Sequence, residues 1–223
     1  MSRQEVIGCS VYCSYCLYVG RLFHITIHNK IARVLSVLSL PLIADNTKKS
    51  VGDSFESLAC ESHHGDKVLI VLGERGGSAQ YPSGVLRWGW FDLSTGSLTW
   101  PTEGTKGKKV AAPGPWVYGD SKRDIADLYI DAAGILWAVA TEDPGDDGPY
   151  RSVIYRVATI RENPNDPLEL VQDRKPVWII DGFKIEAISG PAGISGEGPL
   201  SIGTEDERYG GVWRPLFSAV ESP

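Results

Sequence analysis

The chain has 223 residues, a mass of 24.3 kDa and 42% hydrophobic residues. This composition is that of an ordinary globular protein and excludes general disorder. The formal net charge of −6 argues against nucleic acid as the main partner. The 25 glycines and 14 prolines, set against a single methionine, favour short strands joined by turns over helices.

The first 50 residues differ in charge from the rest of the chain. They contain six Lys or Arg and two acidic residues, a net charge of +4, which leaves −10 for residues 51–223. Three cysteines, Cys9, Cys13 and Cys16, lie in a stretch that is too polar and too short to span a membrane. We expect residues 1–17 to be a Cys-rich leader without regular order. Since no export signal is recognised, we expect a cytoplasmic protein.

The first strand signals lie in residues 18–42. Phe23, Ile25 and Ile27 alternate with polar residues, which is typical of a strand with one buried face. Asn29 indicates a turn, and the apolar stretch 32–40 predicts a second strand that completes a hairpin.

A pattern of strands then recurs three times. Each copy begins with a strand that carries an acidic residue, continues with an apolar run and ends with an aromatic-rich strand. The apolar runs are residues 68–72, 135–140 and 200–203. Such a run, bounded by turn signals, is typical of a strand buried on both faces. In a β-propeller the neighbouring blades bury the inner strands in this way.

The sequence therefore predicts an all-β, β-propeller-like fold with about three four-stranded antiparallel blades. We expect the blades at residues 51–115, 116–182 and 183–217, after a partial blade at 18–42, so that residues 18–223 form blades throughout. A sandwich whose strands resemble one another by chance is the alternative. Because a closed ring takes at least about four blades, we expect an incomplete ring. Its open blade faces then require a partner or self-association.

Two segments carry a resemblance to known propellers. Residues 131–138 resemble a hairpin common in many propellers, with Asp131, Gly134 and Trp137 at its characteristic positions. Residues 184–216 resemble uncharacterised bacterial β-propellers related to the esterase-like and phytase-like group. The resemblance covers about residues 51–217. It implies a propeller with carboxylates around the ring axis that hold calcium, and a calcium-assisted phosphoester or ester hydrolase as the activity.

The recurring acids are the candidate ligands. One set begins the first strand of each copy, and the other set ends the second strand; they are Glu56, Asp127 and Glu186, and Glu74, Glu142 and Glu205. Equivalent positions in successive blades lie on a ring, so we expect these carboxylates to converge at an axial opening. There they would bind a small-molecule ligand or a divalent cation, for which calcium is the natural choice. The alternative is that they cap turns and bond backbone amides between blades.

Three arginines near these acids are candidates for binding an anionic ligand: Arg75, Arg208 and Arg214. The alternative is that they neutralise the acids in salt bridges. A non-catalytic interaction module, which needs neither metal nor turnover, is a further interpretation of the whole chain.

The cysteine spacing points to a different class of protein. Cys9, Cys13 and Cys16, with Tyr15 before the last, resemble the cluster loop of radical SAM enzymes. That resemblance implies three thiolates on an iron–sulfur cluster. Zinc bound with Cys60 or a histidine as fourth ligand is another interpretation. Because hairpins follow the motif where that enzyme family has a βα barrel, we rank the iron–sulfur enzyme below the propeller.

Overall fold

The computed structural model describes seven segments of the chain, with residues 4–14 and 17–20 given through their backbone. The described residues are 4–14, 17–40, 54–62, 65–117, 119–190, 199–205 and 210–216. Within them the protein is all-β, with four antiparallel sheets, one short α-helix and one turn of 3₁₀ helix. No helix in these segments is long and apolar enough to cross a membrane.

The strands pass along the chain from one sheet to the next. Sheet 1 contains β1 (Gln4–Ser14), β2 (Leu17–His28) and β3 (Ile31–Ser39). Sheet 2 contains β4 (Phe55–Ser62), β5 (Lys67–Glu74), β6 (Gly84–Asp92), β7 (Ser97–Thr99) and β8 (Lys108–Val110). Sheet 3 contains β9 (Lys122–Ile130), β10 (Ile135–Glu142), β11 (Arg151–Ile160), β12 (Leu168–Leu170) and β13 (Pro176–Asp181). Sheet 4 contains β14 (Ile185–Ser189), β15 (Ser201–Thr204) and β16 (Trp213–Pro215).

The helical elements are short. Helix α1 (Thr102–Lys106) lies between β7 and β8, and the 3₁₀ turn (Gly119–Ser121) precedes β9. Neither forms a layer of its own, so the core is built from sheets alone, as the sequence predicts.

The apolar runs form the second strand of sheets 2 and 3, which confirms the prediction for them. Residues 68–72 of β5 are all 6% exposed or less. Because side chains alternate along a strand, the two faces of β5 contribute to different cores. Ile70 packs in one cluster with Leu22 of sheet 1, and Val71 packs in another with Leu136 of sheet 3.

The sheets stack face to face in chain order. His24 of β2 meets Phe91 of β6 edge to face, with ring centroids 5.1 Å apart. On the far side of sheet 3, Val139 of β10 packs with Ile185 and Ile202 of sheet 4. Sheets 2 and 3 are therefore covered on both faces, and this burial of apolar surface is the main source of stability.

The first strands of successive sheets lie side by side. β1 contacts β4, β4 contacts β9 and β9 contacts β14. The Ile125 N–H donates to the carbonyl of Arg75 at 3.1 Å, so that backbone hydrogen bonds also cross from sheet 2 to sheet 3. Within the described segments the four sheets do not close into a ring.

Sheets 2 and 3 each contain five strands, which corrects the expected count of four. In sheet 2, β6 pairs with β7 through residues 90–92 and with β8 through residues 84–86. In sheet 3, β11 pairs in the same way with β12 and β13. Two short strands thus share the outermost position that one long strand would fill. In sheet 2 the interruption begins at Pro101, which lacks the N–H that a ladder requires.

Sheet 1 includes a strand within the segment where we expect a leader. β1 pairs with β2 from Gln4 opposite Ile27 to Ser14 opposite Leu17. The mixture of Cys, Ser and Tyr in β1 lacks a clear apolar alternation, so sequence reasoning did not predict it. The turn between β2 and β3 is at Asn29 as predicted, with positive φ angles of 50° and 64° at residues 29 and 30, as in a two-residue hairpin turn.

Candidate functional site

Five of the six predicted acids, all except Asp127, lie at or near one edge of the stack, which is termed the charged edge. Here β4, β9 and β14 begin and β5, β10 and β15 end. Antiparallel pairing places Phe55 opposite Glu74, Lys122 opposite Glu142 and Ile185 opposite Thr204. Each of these three sheets therefore brings charged residues to the same edge.

Five charged side chains gather where sheet 3 meets sheet 4 and are termed the seam cluster: Arg123, Asp143, Lys184, Glu186 and Glu205. The Lys184 Nζ lies 3.4 Å from Asp143 Oδ2, 3.4 Å from Glu186 Oε1 and 3.5 Å from Glu205 Oε2. Arg123 contacts Asp143 at 2.6 Å and Glu186 at 3.3 Å. Three carboxylates therefore surround one ammonium, whose side chain is only 3% exposed.

Burial and charge act in opposite directions on the Lys184 ammonium. Burial lowers its pKa, and the carboxylates of Glu186, Asp143 and Glu205 raise it by more, so that the net shift is upward. Burial also raises the pKa of Glu186, a rise that Arg123 and Lys184 partly oppose. The cluster thus keeps its internal cation in the charged form.

Asp127 lies beside the cluster in the middle of β9. Its Oδ2 accepts the N–H of Ile188 at 2.8 Å and so joins β9 to β14. Burial raises its pKa to about 6, although the backbone N–H groups of Ile188 and Leu128 favour the charged form; repulsion by Glu186 adds to the rise. This carboxyl group therefore titrates much closer to neutral pH than an ordinary aspartate.

Two of the predicted acids are buried within their own sheets. Glu74 is 2% exposed and Glu142 is 1% exposed. Arg87 Nε donates to Glu74 Oε1, and Arg87 Nη1 donates to the carbonyl of Thr105 in α1. Glu142 stands opposite Arg151 in the ladder of sheet 3. Glu74 therefore holds the arginine that fixes α1 to sheet 2.

Glu56 pairs with one of the three predicted arginines. Arg75 Nη1 is 3.7 Å from Glu56 Oε1 within sheet 2. Arg214 is exposed in β16, and Arg208 lies outside the described residues. The contact of Arg75 agrees with the interpretation of the arginines as salt-bridge partners.

All six candidate acids are described, and they do not gather into one ligand set. Among the described residues, no group of three His, Cys, Asp or Glu side chains is arranged to hold a metal ion. Of the six, Glu186 and Glu205 meet on Lys184. Among the described residues several of these acids form local ion pairs, such as Glu56 with Arg75 and Glu74 with Arg87, and Asp127 accepts a backbone N–H. Since the described sheets do not close into a ring, the axial set of carboxylates stays a prediction.

Sequence reasoning missed one acid that joins two sheets. Asp124 is fully buried, and it accepts the N–H of Gly84 at 3.2 Å and that of Ala112 at 2.8 Å. Lys122 Nζ lies 2.8 Å from Asp124 Oδ1, the oxygen that also accepts the Ala112 N–H. Asp124 therefore ties β9 to sheet 2. The signal available in the sequence was its place at the start of a strand, next to the recurring Asp127.

The cations of the seam cluster were also missed. Arg123 lies near the start of β9, and Lys184 directly precedes β14. Lys184 is two residues from Glu186 in the sequence, and Arg123 is four residues from Asp127. Basic residues this close to two of the recurring acids are the signal that would have predicted ion pairs at this junction.

The cysteine motif lies only partly within the described residues. Cys9 and Cys13 are in β1, opposite Leu22 and Tyr18, and Cys16 lies outside the described residues. Four residues of strand separate two Cα atoms by roughly 13 Å. The thiolates of an iron–sulfur cluster converge on one small cube, and those of a zinc site on one ion. The backbone of β1 therefore lends no support to either site, and both predictions stay untested.

A cleft of about 630 Å³ lies at the other end of β9, away from the charged edge. Ser62, Gly65, Gly134 and Ile160 are among the residues that line it. It contains none of the residues that the sequence predicts for a site.

The chain matches no protein family, no curated protein sequence and no solved structure. The comparisons therefore identify no family, and the resemblance of residues 51–217 to esterase-like and phytase-like propellers stays a prediction from the sequence. What the fold establishes is an all-β protein with several antiparallel sheets.

Proposed function

We propose that this chain is a propeller-type interaction module that binds a partner through the outward faces of its end sheets. Each sheet packs on the next in chain order, and β4, β9 and β14 lie side by side, as inner strands do in β-propellers. Sheets 1 and 4 lie at the two ends of the stack, and each has one face that no other sheet formed by the described residues covers. In this proposal the charged edge has a structural role, in which its ion pairs hold neighbouring sheets together.

The observation that carries this proposal is the apolar outward face of sheet 1. Val34, Val37 and Ile27 are 56%, 49% and 37% exposed. Leu22, on the opposite face of β2, is fully buried against sheet 2. Monomeric soluble proteins rarely expose a contiguous apolar face, and such a face marks an interaction site.

The test replaces two side chains of this face by charged ones. Val34→Glu/Val37→Glu is compared with the unchanged protein and with Val117→Glu/Val177→Glu, whose valines are 63% and 43% exposed elsewhere on the surface. Light scattering gives the mass in solution, and an apolar fluorescent dye reports uncovered apolar surface. We expect the face variant to lose the association, or the dye binding, that the other two proteins share. Equal behaviour of all three proteins overturns the proposal.

A second candidate function is the binding of a divalent cation, with calcium as the first choice, at the seam cluster. The charge balance favours it, because the cluster and Asp127 together hold four carboxylates and only two cationic side chains. Oxygen ligands of this kind suit calcium. The hydrolase that the resemblance implies depends on this binding, since calcium would activate the attacking water.

Calcium titration at constant ionic strength tests this second function. Binding to the folded state raises the Tm by mass action, and a chelator reverses the rise. Glu205→Gln should reduce the effect, because Glu205 is the exposed carboxylate of the cluster. Glu169→Gln is the matched control, since the two side chains are 61% and 58% exposed. A Tm that calcium and chelator leave unchanged rejects the site.

A further inference from the structure

The outward face of sheet 4 combines small residues with one exposed aromatic side chain. Ala187, Gly203 and Trp213 stand opposite one another across β14, β15 and β16, so their side chains share one face. Ile185 and Ile188 are buried on the other face, against sheet 3. Trp213 is 67% exposed. Two small residues beside an exposed indole leave room for side chains from an opposing sheet.

The outward face of sheet 1 provides side chains of the complementary kind. Phe23 stands opposite Val37, and Ile25 stands opposite Val34. Their strand neighbour Leu22 is buried against sheet 2, which places these pairs on the face away from the stack. Aromatic and β-branched residues in cross-strand pairs present the ridged apolar surface with which sheets pack on one another.

The two end sheets differ in charge. Residues 4–39, which contain the strands of sheet 1, hold three basic residues and one acid, a net charge of +2. The described residues of sheet 4 hold two basic and two acidic residues, so that they have no net charge. Contact between two copies of sheet 1 would bring like charges together, whereas contact between sheet 1 and sheet 4 does not. This difference favours sheet 4 as the partner face.

We propose that the outward face of sheet 1 binds the outward face of sheet 4 in a second copy of this chain, head to tail. The inference rests on the proposed interaction function and names its partner. The same contact of one sheet face on the next occurs three times within the chain, at the junctions of sheets 1, 2, 3 and 4. Two copies supply eight sheets, within the range of about four to eight blades in closed propellers. In such a pair, sheet 1 of each copy packs on sheet 4 of the other copy, and a two-fold axis relates the two contacts. The ring is then closed, and both end faces of each copy are covered.

The experiment uses one variant for each face. Val34→Glu/Val37→Glu blocks the face of sheet 1, and Trp213→Glu blocks the face of sheet 4. Light scattering is expected to give twice the 24.3 kDa chain mass for the unchanged protein and a monomer for each variant alone. The control Val117→Glu/Val177→Glu is expected to stay dimeric. Circular dichroism and the Tm show that each variant is folded.

Mixing the two variants distinguishes the arrangements. An equimolar mixture keeps one intact contact, between the free sheet 1 of one copy and the free sheet 4 of the other. Head-to-tail pairing therefore predicts that the mixture regains the dimer mass, with a larger Kd than the unchanged protein. If Trp213→Glu stays dimeric while the sheet 1 variant is monomeric, the sheet 1 faces pair with each other. That result overturns head-to-tail pairing and leaves the interaction function standing. A monomeric unchanged protein that binds no apolar dye overturns both.

Discussion

Asp124 and Asp127, three residues apart on β9, accept backbone N–H groups from the sheets on opposite sides of sheet 3. Asp124 binds the N–H groups of Gly84 and Ala112 on the side of sheet 2, and Asp127 binds that of Ile188 in sheet 4. The register of β9 on β10 shifts between these two residues, so their hydrogen bonds, rather than regular alternation along the strand, show which sheet each carboxylate faces. β9 thus joins sheet 3 to sheets 2 and 4 through two carboxylates. Because their surroundings differ, we predict opposite effects on stability when each aspartate is replaced by asparagine.

Asp127→Asn is expected to stabilise the protein at pH 7. Burial raises the pKa of Asp127 from 3.8 to about 6 in the folded state. The folded state then binds the proton more tightly than the unfolded state, so stability falls as the pH rises from about 4 to about 6. Two pKa units correspond to about 3 kcal/mol, which is the upper limit of the gain at pH 7. The asparagine keeps an oxygen that accepts the Ile188 N–H.

Urea unfolding at pH 4 to 8 measures this effect. The difference between variant and unchanged protein should vanish near pH 4 and reach its full size above pH 6. Asp146→Asn, in an exposed loop, is the control and should show no such pH dependence. A variant less stable at pH 7 than the unchanged protein would contradict the desolvation account.

Asp124→Asn is expected to destabilise the protein. Both carboxylate oxygens of Asp124 accept hydrogen bonds in a fully buried position, and Lys122 Nζ lies 2.8 Å from Oδ1. An amide has one oxygen, so one buried N–H loses its acceptor at a cost of about 1–3 kcal/mol. Urea unfolding at pH 7 should therefore give the opposite sign to Asp127→Asn. Equal stabilities of the two variants would show that the two carboxylates do not differ as described.

Lys184→Gln is expected to destabilise the junction of sheets 3 and 4. Removal of the ammonium leaves Asp143, Glu186 and Glu205 without their shared partner, and breaking a buried ion pair costs roughly 3–5 kcal/mol. Asp143 and Glu186 still contact Arg123, but the cluster has lost one of its two cations, which favours the binding of a metal cation. Calcium should raise the Tm of this variant more than that of the unchanged protein, and sodium chloride at equal ionic strength should not.

Lys184→Arg is the control, because it keeps the positive charge among the carboxylates. Its Tm should respond to calcium as the unchanged protein does. Equal responses of Lys184→Gln and Lys184→Arg would show that the Lys184 ammonium does not occupy a position that calcium can take.

Gly77→Ala is expected to loosen the contact between sheets 2 and 3. Gly77 has a φ of 90°, and a Cβ there would lie 2.5 Å from the carbonyl oxygen of Lys122. Gly96 is the matched control, with a φ of 67° and no atom within 4 Å of its Cβ position. Gly96→Ala therefore costs only the backbone strain, about 1 kcal/mol, and Gly77→Ala adds a clash with the backbone of β9. Thermal unfolding of both variants should show the larger loss of Tm for Gly77→Ala; equal losses would contradict the close approach.

The strands could be predicted from the sequence where burial alone dictates the pattern. Residues 68–72 and 135–140 are continuous apolar runs because sheets cover both of their faces. The alternation in β2 predicts the strand correctly but the wrong covered face. The covered face carries Leu22, His24 and Thr26, and the expected apolar set of Phe23, Ile25 and Ile27 lies on the outward face. The turn at Asn29 could be predicted because few residues tolerate positive φ. Burial of a strand and the backbone conformation of a turn restrict which residues can occupy those positions, so the local sequence is enough to predict them.

The site could be predicted only in part, because it depends on which strands become neighbours. Five of the six acids are at or next to strand ends as expected, whereas Asp127 lies in the middle of β9. Their partners come from other strands: Arg123 reaches Glu186 across 63 positions of sequence. Spacing along the chain does not reveal whether a carboxylate at a strand end meets another acid or a lysine. The divided outermost strand of sheet 2 was missed for a similar reason, since β7 and β8 pair with different halves of β6.

The divided outermost strands limit the ways in which the protein can polymerise. β7, β8 and β12 are each three residues long, so each offers an incoming strand only a short row of backbone groups. Long, flat edges are the templates for the uncontrolled edge-to-edge growth that leads to amyloid-like fibres. An outer edge broken into short pieces disfavours that growth at the rims of sheets 2 and 3. Association is thereby directed away from backbone pairing at these rims and toward side-chain packing, which can be specific and reversible.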